Sequence, residues 1–150
     1  MKLPPSKLLP HILLVDDNPD GLLVRRALLE EVGCNVQIAG NGAEGLKLFQ
    51  GFAFDVVVTD YRMPGMNGAE VIQAIRQIQP NARIILLSGF VDPLGLTEES
   101  TGADVVLPKS SQEAVHLVRW VKRLMNRAAS RKPPGTQKNA AVKARATTAC

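Results

Sequence analysis

Residues 54–68 read FDVVVTDYRMPGMNG, in which an apolar run stops at a carboxylate and the chain then turns. A run of β-branched residues bounded by Pro and Gly predicts a fully buried strand of a parallel sheet. Asp60 would then stand at the carboxyl end of this strand. Because ligands of open α/β sheets bind in the crevice beyond the carboxyl ends of the strands, Asp60 is the first candidate for a functional site.

The rest of the chain alternates strand patterns with helical patterns around this stretch. Further strands are predicted over residues 11–15, 36–39, 82–87 and 103–107, and helices over residues 19–32, 41–50, 68–79 and from 110 or 111 to about 126. Between residues 90 and 102 the pattern favours only a short or irregular helix, because Gly95 and Thr97 propagate a helix poorly. This alternation is typical of an α/β domain with a parallel sheet.

The apolar spacing of two helices predicts which of their residues face the core. On the third helix these residues are Val71, Ile72, Ile75 and Ile78. On the fifth helix they are Ala114, Val115, Val118, Val121, Leu124 and Met125.

Length and composition indicate one globular domain with short tails. The chain has 150 residues, of which 45% are hydrophobic and 21% charged, values usual for a domain with a real core. We expect a leader over residues 1–10, a folded domain over residues 11–126 and a disordered tail over residues 127–150. No apolar run approaches the roughly 20 residues that span a bilayer. We therefore expect a cytoplasmic protein with no membrane partner, and two cysteines fit that compartment.

The net charge of +4 is an average over two unlike regions. All 14 acidic residues lie within residues 1–118, together with half of the 18 basic residues, and the other half lies within residues 119–150. The tail is therefore strongly basic and the domain acidic. Without an aromatic residue beyond Trp120, such a tail offers no stacking platform for bases. Any nucleic-acid binding is expected to be weak, non-specific and dependent on salt.

Polar residues end four of the five predicted strands. They are Asp16 and Asp17 on the first, Asp60 on the third, Ser88 on the fourth and Lys109 on the fifth. Three carboxylates in one crevice repel each other, and a hard divalent cation with oxygen ligands relieves that repulsion. Mg²⁺ suits such a site because it binds through a few carboxylates and phosphate oxygens. The set could stabilise transfer of a phosphoryl group onto a carboxylate.

Taken singly, each of these residues also fits an ordinary structural role. A terminal aspartate is often only a helix cap, and a lone loop lysine or turn serine is usually solvated. Five short motifs in one order make the joint interpretation stronger: LVDD at 14–17, VTD at 58–60, MPGMNG at 63–68, LSG at 87–89 and LPK at 107–109. With these motifs, the chain from about residue 11 to residue 126 resembles the receiver domain of two-component response regulators.

The resemblance implies a doubly wound, flavodoxin-like sheet with strand order 2-1-3-4-5 and five flanking helices. It implies that Asp60 is the phospho-acceptor and that Asp16 and Asp17 hold Mg²⁺, with Asp17 the more direct ligand. The main-chain carbonyl of Arg62 would be a further metal ligand. By the same resemblance, the hydroxyl of Ser88 would bond the phosphoryl group and Lys109 would pair with it; these roles follow from the family and not from the spacing alone.

The resemblance also implies partners and an output. A sensor histidine kinase or a phosphotransfer protein would donate the phosphoryl group from a phosphohistidine. The receiver would catalyse only its own phosphorylation and dephosphorylation, and would act on no metabolite. A downstream protein, which the sequence does not name, would bind the surface formed by the fourth strand, the fourth helix and the fifth strand. We expect a stand-alone receiver, because about two dozen residues follow residue 126.

Two positions depart from the family pattern on this signalling side. Receivers usually carry an aromatic residue three positions before the lysine, where this chain has Val106, and a proline after the lysine, where it has Ser110. These departures concern the output and leave the phosphorylation chemistry intact. Separately, two alternatives stay open: an interaction module that uses the fold without phosphorylation, and a magnesium-dependent phosphatase of related topology. The phosphatase usually requires an Asp-x-Asp pair, which residues 60–62 lack.

Overall fold

The computed structural model describes residues 9–89 and 95–130, with side chains as far as residue 126. Strands and helices alternate along the described chain. Their order is β1 (His11–Val15), α1 (Pro19–Glu31), β2 (Asn35–Ala39), α2 (Gly42–Gly51), β3 (Val56–Asp60), α3 (Gly68–Ile78), β4 (Ile84–Ser88), α4 (Glu98–Thr101), β5 (Val105–Pro108) and α5 (Glu113–Ser130).

The five strands form one parallel sheet in the order β2-β1-β3-β4-β5. This order confirms the predicted flavodoxin-like fold. In the register of the central strands, Val15 lies beside Thr59 and Asp60 beside Leu87. Asp16 and Asp60 therefore each follow the last pair of the β1–β3 ladder, at the same edge of the sheet.

Each face of the sheet is covered by helices and carries its own apolar core. On one face, Leu22 and Leu29 of α1 pack with residues of α5 against the sheet. On the other, residues of α2 and α3 pack against the alternate side chains of the same strands. Val56, Val57 and Val58 are at most 1% exposed, as expected for a strand covered on both faces. Because helices cover both faces of the sheet, side chains on both sides of the central strands are buried, which explains why these strand sequences are apolar without alternation.

The helices begin at polar residues that satisfy their free N–H groups. The side chain of Asn18 accepts from two N–H groups of α1, with Pro19 as the first helical residue. Asn41 caps α2, and Asn67 forms a capping box with Glu70 on α3. Beyond α1, Gly33 adopts a positive φ of 98°, a conformation that glycine takes without strain. The loops at the carboxyl edge of the sheet are thereby fixed at the point where each helix starts.

In the described part of the segment predicted to be irregular, residues 95–102, the one helix is the four-residue α4. Thr97 caps it, and Gly102 ends it in the left-handed conformation. The side chain of Glu98 accepts the main-chain N–H of Val106 at 2.9 Å, which ties α4 to the edge strand β5. The first part of the predicted segment, residues 90–94, lies outside the described residues.

Some of the predicted inward-facing residues are exposed. Ile78 is 46% exposed because α3 ends there and no further turn covers it. Val115 is 52% exposed because it lies two positions before the buried Leu117, on the opposite side of α5. Ala114, in the first turn of α5, is exposed as well. The prediction that Ala114 and Val115 face the core was therefore wrong. It also omitted Leu117, which is fully buried.

At its C-terminal end, α5 continues to Ser130, past the predicted domain boundary at residue 126. Residues 131–150 and 1–8 lie outside the described residues, so the predicted division into leader, domain and tail stays a prediction. Among the helices in the described ranges, none is long and apolar enough to cross a membrane.

Candidate functional site

Three carboxylates meet at the carboxyl edge of the sheet. One oxygen each of Asp16, Asp17 and Asp60 lie within 4.8 Å of one another. Asp16 and Asp60 are only 3% exposed, whereas Asp17 is exposed. Such a group concentrates negative charge where solvent screens it poorly, so it requires positive charge nearby.

The turn between β1 and α1 holds Asp16 firmly. Its Oδ1 accepts the N–H of Asn18 at 3.0 Å, and its own main-chain N–H donates to the carbonyl of Ala39 at 3.1 Å. The Asn18 side chain in turn accepts from the first turn of α1. The direction of Asp16 is therefore set by the same turn that starts the helix.

Asp60 ends β3 and faces the ammonium group of Lys109. Lys109 Nζ forms an ion pair with Asp60 Oδ1. This oxygen is buried, and within the described part of the chain that ion pair is its one polar contact. Burial raises the pKa of the Asp60 carboxyl above its ordinary value, the Lys109 ammonium lowers it, and the charge of Asp16 raises it again, with a net upward shift. The carboxylate is thus a costly buried anion that further cations would stabilise.

Lys109 and Ser88 are neighbours through their main chains. The N–H of Lys109 donates to the carbonyl of Ser88 at 2.9 Å, which brings the ends of β4 and β5 together. The Ser88 hydroxyl donates to the carbonyl of Gly89 at 3.5 Å, a long bond. Ser88 is thus at the predicted strand end, but its hydroxyl is directed to the carbonyl of Gly89 and forms no hydrogen bond with the three carboxylates of the described site.

A cleft of about 310 Å³ opens above these groups. Its lining consists of Asp16, Asp17, Asn18, Asp60, Arg62, Gly89 and Lys109. All the site residues predicted from the sequence except Ser88 therefore line this cleft. At the end of β4, Gly89 lines the cleft in place of Ser88. The cleft is large enough for a phosphoryl group and a hydrated ion.

The loop after β3 is shaped by a close approach of two main-chain segments. The N–H of Gly68 donates to the carbonyl of Tyr61 at 2.8 Å. A Cβ atom at Gly68 would stand 2.4 Å from the carbonyl oxygen of Asp60 and 2.7 Å from a methyl of Leu86. Only glycine fits there, and its small size lets α3 start directly behind Asp60.

Two charged residues at the site were missed by the sequence analysis. Arg25 of α1 donates from Nη1 to Asp16 Oδ2 at 2.6 Å and from Nε to Glu113 Oε2 at 2.6 Å. A signal was available, because Arg25 lies three positions after the buried Leu22 and four before the buried Leu29. A charge at an inward position of a helix indicates a buried partner.

The donor set fits a hard divalent cation. The three acidic residues supply carboxylate oxygens at one point, and among the described residues the Lys109 ammonium is the one polar partner of the buried Asp60 Oδ1. Mg²⁺ in proteins binds carboxylate oxygens together with waters. Asp16, Asp17 and Asp60 could hold such an ion, and Arg62 lies at the same cleft.

Comparison with known proteins agrees with this arrangement. The sequence model of the response regulator receiver domain family matches residues 12–120. A response regulator receiver protein of Anaeromyxobacter sp. is 39% identical over 98 residues, which cover 65% of this chain and 41% of that protein. The sensor histidine kinase GacS of Pseudomonas protegens is 46% identical over 68 residues, covering 45% of this chain and 7% of the kinase. The chain thus spans less than half the length of these relatives.

Solved structures share the fold over most of the described chain. A response regulator receiver domain protein from Clostridium thermocellum is 32% identical, with a TM-score of 0.75, covering 81% of this chain and 98% of its own. The response regulator TrrA of Thermotoga maritima, solved in complex with Mg(2+)-BeF, is 34% identical, with a TM-score of 0.70, covering 77% and 99%. TrrA has also been solved in complex with the histidine kinase ThkA. Fold, cleft and sequence agree, and the chain belongs to the response regulator receiver domain family.

Proposed function

We propose that this chain accepts a phosphoryl group on Asp60 from a phosphohistidine of a sensor histidine kinase or a phosphotransfer protein. The observation that carries the proposal is the buried Asp60 carboxylate, paired with Lys109 and lying beside Asp16 and Asp17. In the transfer, a carboxylate oxygen of Asp60 bonds to phosphorus and the bond from phosphorus to the histidine nitrogen breaks. The imidazole leaves with the electron pair, and hydrolysis of the acyl phosphate later resets the receiver.

Each charged residue of the cleft has a proposed part in this transfer. Lys109 contacts Asp60 directly, and its ammonium group would also pair with a phosphoryl oxygen. Mg²⁺, held by Asp16, Asp17, Asp60 and the carbonyl of Arg62, would neutralise negative charge on the transferred group when bound. The Ser88 hydroxyl would turn from Gly89 toward the phosphoryl group. Its present bond of 3.5 Å is weak enough to be given up.

The complex of the similar regulator TrrA with the kinase ThkA supports a kinase as the partner. On this proposal, the protein lies in the cytoplasm with the kinase domain that phosphorylates it, acts on no metabolite, and binds an unidentified downstream protein.

The test is incubation of the full chain with acetyl phosphate and Mg²⁺, which should add about 80 Da, the mass of one phosphoryl group. Absence of that mass would support the alternative of a phosphorylation-independent interaction module, whereas an equal gain in the presence of EDTA would contradict the proposed role of Mg²⁺.

The two acids of the β1–α1 turn should contribute unequally to metal binding. Both oxygens of Asp16 are engaged, one by the N–H of Asn18 and one by Arg25, whereas Asp17 is exposed and lines the cleft. We expect Asp17→Ala to weaken Mg²⁺ binding at least about tenfold and Asp16→Ala to weaken it less. Isothermal titration of the two variants with Mg²⁺ measures this difference. Equal losses, or a larger loss for Asp16→Ala, would reject the ranking.

We propose that the output surface is formed by β4, α4 and β5, and that it responds through main-chain movement. Val106 stands where receivers usually have an aromatic residue, and a β-branched side chain is too stiff and small to transmit a displacement. Gly95 and Gly102 both have positive φ, so the segment around α4 can rearrange at glycines.

Beryllofluoride, a phosphoryl mimic, should therefore change amide exchange mainly within residues 88–102 and little within residues 103–107. Residues 90–94 lie outside the described structure, but exchange measures them directly. The control is Mg²⁺ without beryllofluoride, which separates the effect of the metal from that of the mimic. If the largest changes fall in β5 and α5 while residues 88–102 stay unaltered, the proposed response through main-chain movement of residues 88–102 is wrong.

A further inference from the structure

Arg25 connects the acidic cleft to a helix on which the site residues do not lie. Besides Asp16 it binds Glu113, the first residue of α5, with Nε at 2.6 Å and Nη2 at 3.4 Å from the two carboxylate oxygens. The side chains of Arg25 and Glu113 are 13% and 16% exposed, and that of Asp16 is 4% exposed. The ion pairs are thus largely removed from water, where charges interact more strongly than at the surface.

The neighbouring residues leave room for this guanidinium group. A Cβ atom at Gly21 would stand 3.0 Å from Arg25 Nη1 and 3.3 Å from Asp16 Oδ2. Glycine one turn before Arg25 therefore lets the arginine reach over the helix to Asp16. The contact between Arg25 and Asp16 therefore depends on the local structure of the turn between β1 and α1 and on the small size of Gly21.

We propose that Arg25 is an internal counter-cation that competes with a divalent metal ion for Asp16, and that Glu113 sets how strongly it competes. This inference rests on the proposed function, because it requires the cleft to bind a divalent cation. Arg25 acts on the metal through Asp16, so it is a positioning residue rather than a catalytic one.

The competition follows from which groups hold Asp16. Its Oδ1 and its main-chain N–H are bound by Asn18 and Ala39, so Asp16 keeps its place without Arg25. Loss of the guanidinium group would then free Oδ2 and remove a positive charge that repels the incoming ion. Loss of the Glu113 charge would have the opposite effect, because Arg25 would then be neutralised by Asp16 alone. A purely structural role predicts weaker binding for both variants.

The test is Mg²⁺ titration of the full chain by calorimetry. We expect Arg25→Gln to tighten Mg²⁺ binding at least about fivefold, the lower end of usual couplings between sites because the cleft is open to solvent. Glu113→Gln should weaken it, and the double variant should resemble Arg25→Gln. Arg25→Lys, which keeps the charge, should stay close to wild type. Should Arg25→Gln fail to fold, the double variant decides, because it removes both charges of the Arg25–Glu113 pair and should still bind Mg²⁺ more tightly than the wild type.

Arg26→Gln is the matched control, because it removes the same charge from the next residue of α1. Among the described residues Arg26 makes no ion pair with the carboxylates of the cleft, so its loss should leave Mg²⁺ affinity within about twofold of wild type. Weaker binding in both Arg25→Gln and Glu113→Gln, or no change in either, would overturn the inference. Absence of Mg²⁺ binding by the wild type would instead overturn the metal site of the proposed function.

Discussion

Asp60→Asn should abolish labelling by acetyl phosphate while the protein stays folded. The amide keeps the shape of the side chain but removes the nucleophile and one metal ligand. It also removes a buried charge that burial and Asp16 disfavour, so the unfolding temperature should stay level or rise. Lys109 loses its partner, but its side chain is 32% exposed and can be hydrated. Intact-mass spectrometry with and without acetyl phosphate, together with thermal unfolding, measures both effects.

Asp55→Asn is the matched control, because Asp55 precedes β3 at the opposite end of the same strand. It accepts the N–H of His11 through a carboxylate oxygen, which an amide oxygen can replace. Its labelling should equal that of the wild type. Undiminished labelling of Asp60→Asn would show that another carboxylate accepts the phosphoryl group.

Gly68→Ala should destabilise the fold by about 3 kcal/mol, near the upper range for an added methyl group in a packed site. The new Cβ would overlap the carbonyl oxygen of Asp60, at 2.4 Å, and approach the Cα of Tyr61, at 2.9 Å. Main-chain atoms cannot turn aside as a flexible side chain can, so α3 or the end of β3 must shift. Urea unfolding followed by circular dichroism gives the loss. We expect phosphorylation to slow as well, because the shift displaces Asp60.

The comparison variant is Gly51→Ala, which adds the same methyl group at the end of α2. Apart from its chain neighbours and the backbone of α2, no atom of the described residues lies within 4 Å of the position that its Cβ would take. Alanine favours a helix over glycine, so stability should rise by up to about 1 kcal/mol. A Gly68→Ala variant as stable as Gly51→Ala would mean that the loop after β3 accommodates the methyl group, contrary to this account.

The fold was predictable from the sequence because parallel strands covered on both faces must be apolar without interruption. Residues 56–58 show this pattern, and the Asn caps and Pro19 mark where helices begin. The gathering of Asp16, Asp17, Asp60 and Lys109 was also predictable, since the carboxyl ends of parallel strands share one edge of the sheet.

Features that depend on side-chain direction were harder to predict. The sequence places Ser88 at the end of β4. The direction of its hydroxyl could not be predicted, because it depends on which acceptor lies nearby, here the carbonyl of Gly89. Val115 is apolar yet exposed, because the position of the first turn of α5 depends on the loop before it. The ion pair between Arg25 and Glu113 joins α1 to α5 across 88 residues of sequence. Periodicity shows that Arg25 faces inward, but it does not identify Glu113 as the partner.

The most direct test of the central claim is to identify the phosphorylated residue in the wild-type chain. After phosphorylation with acetyl phosphate and Mg²⁺, borohydride reduces an acyl phosphate of aspartate to homoserine, which peptide mass spectrometry locates. We expect homoserine at position 60 alone, and none when EDTA replaces Mg²⁺. Homoserine at position 16, 17 or elsewhere, with Asp60 unchanged, would contradict it.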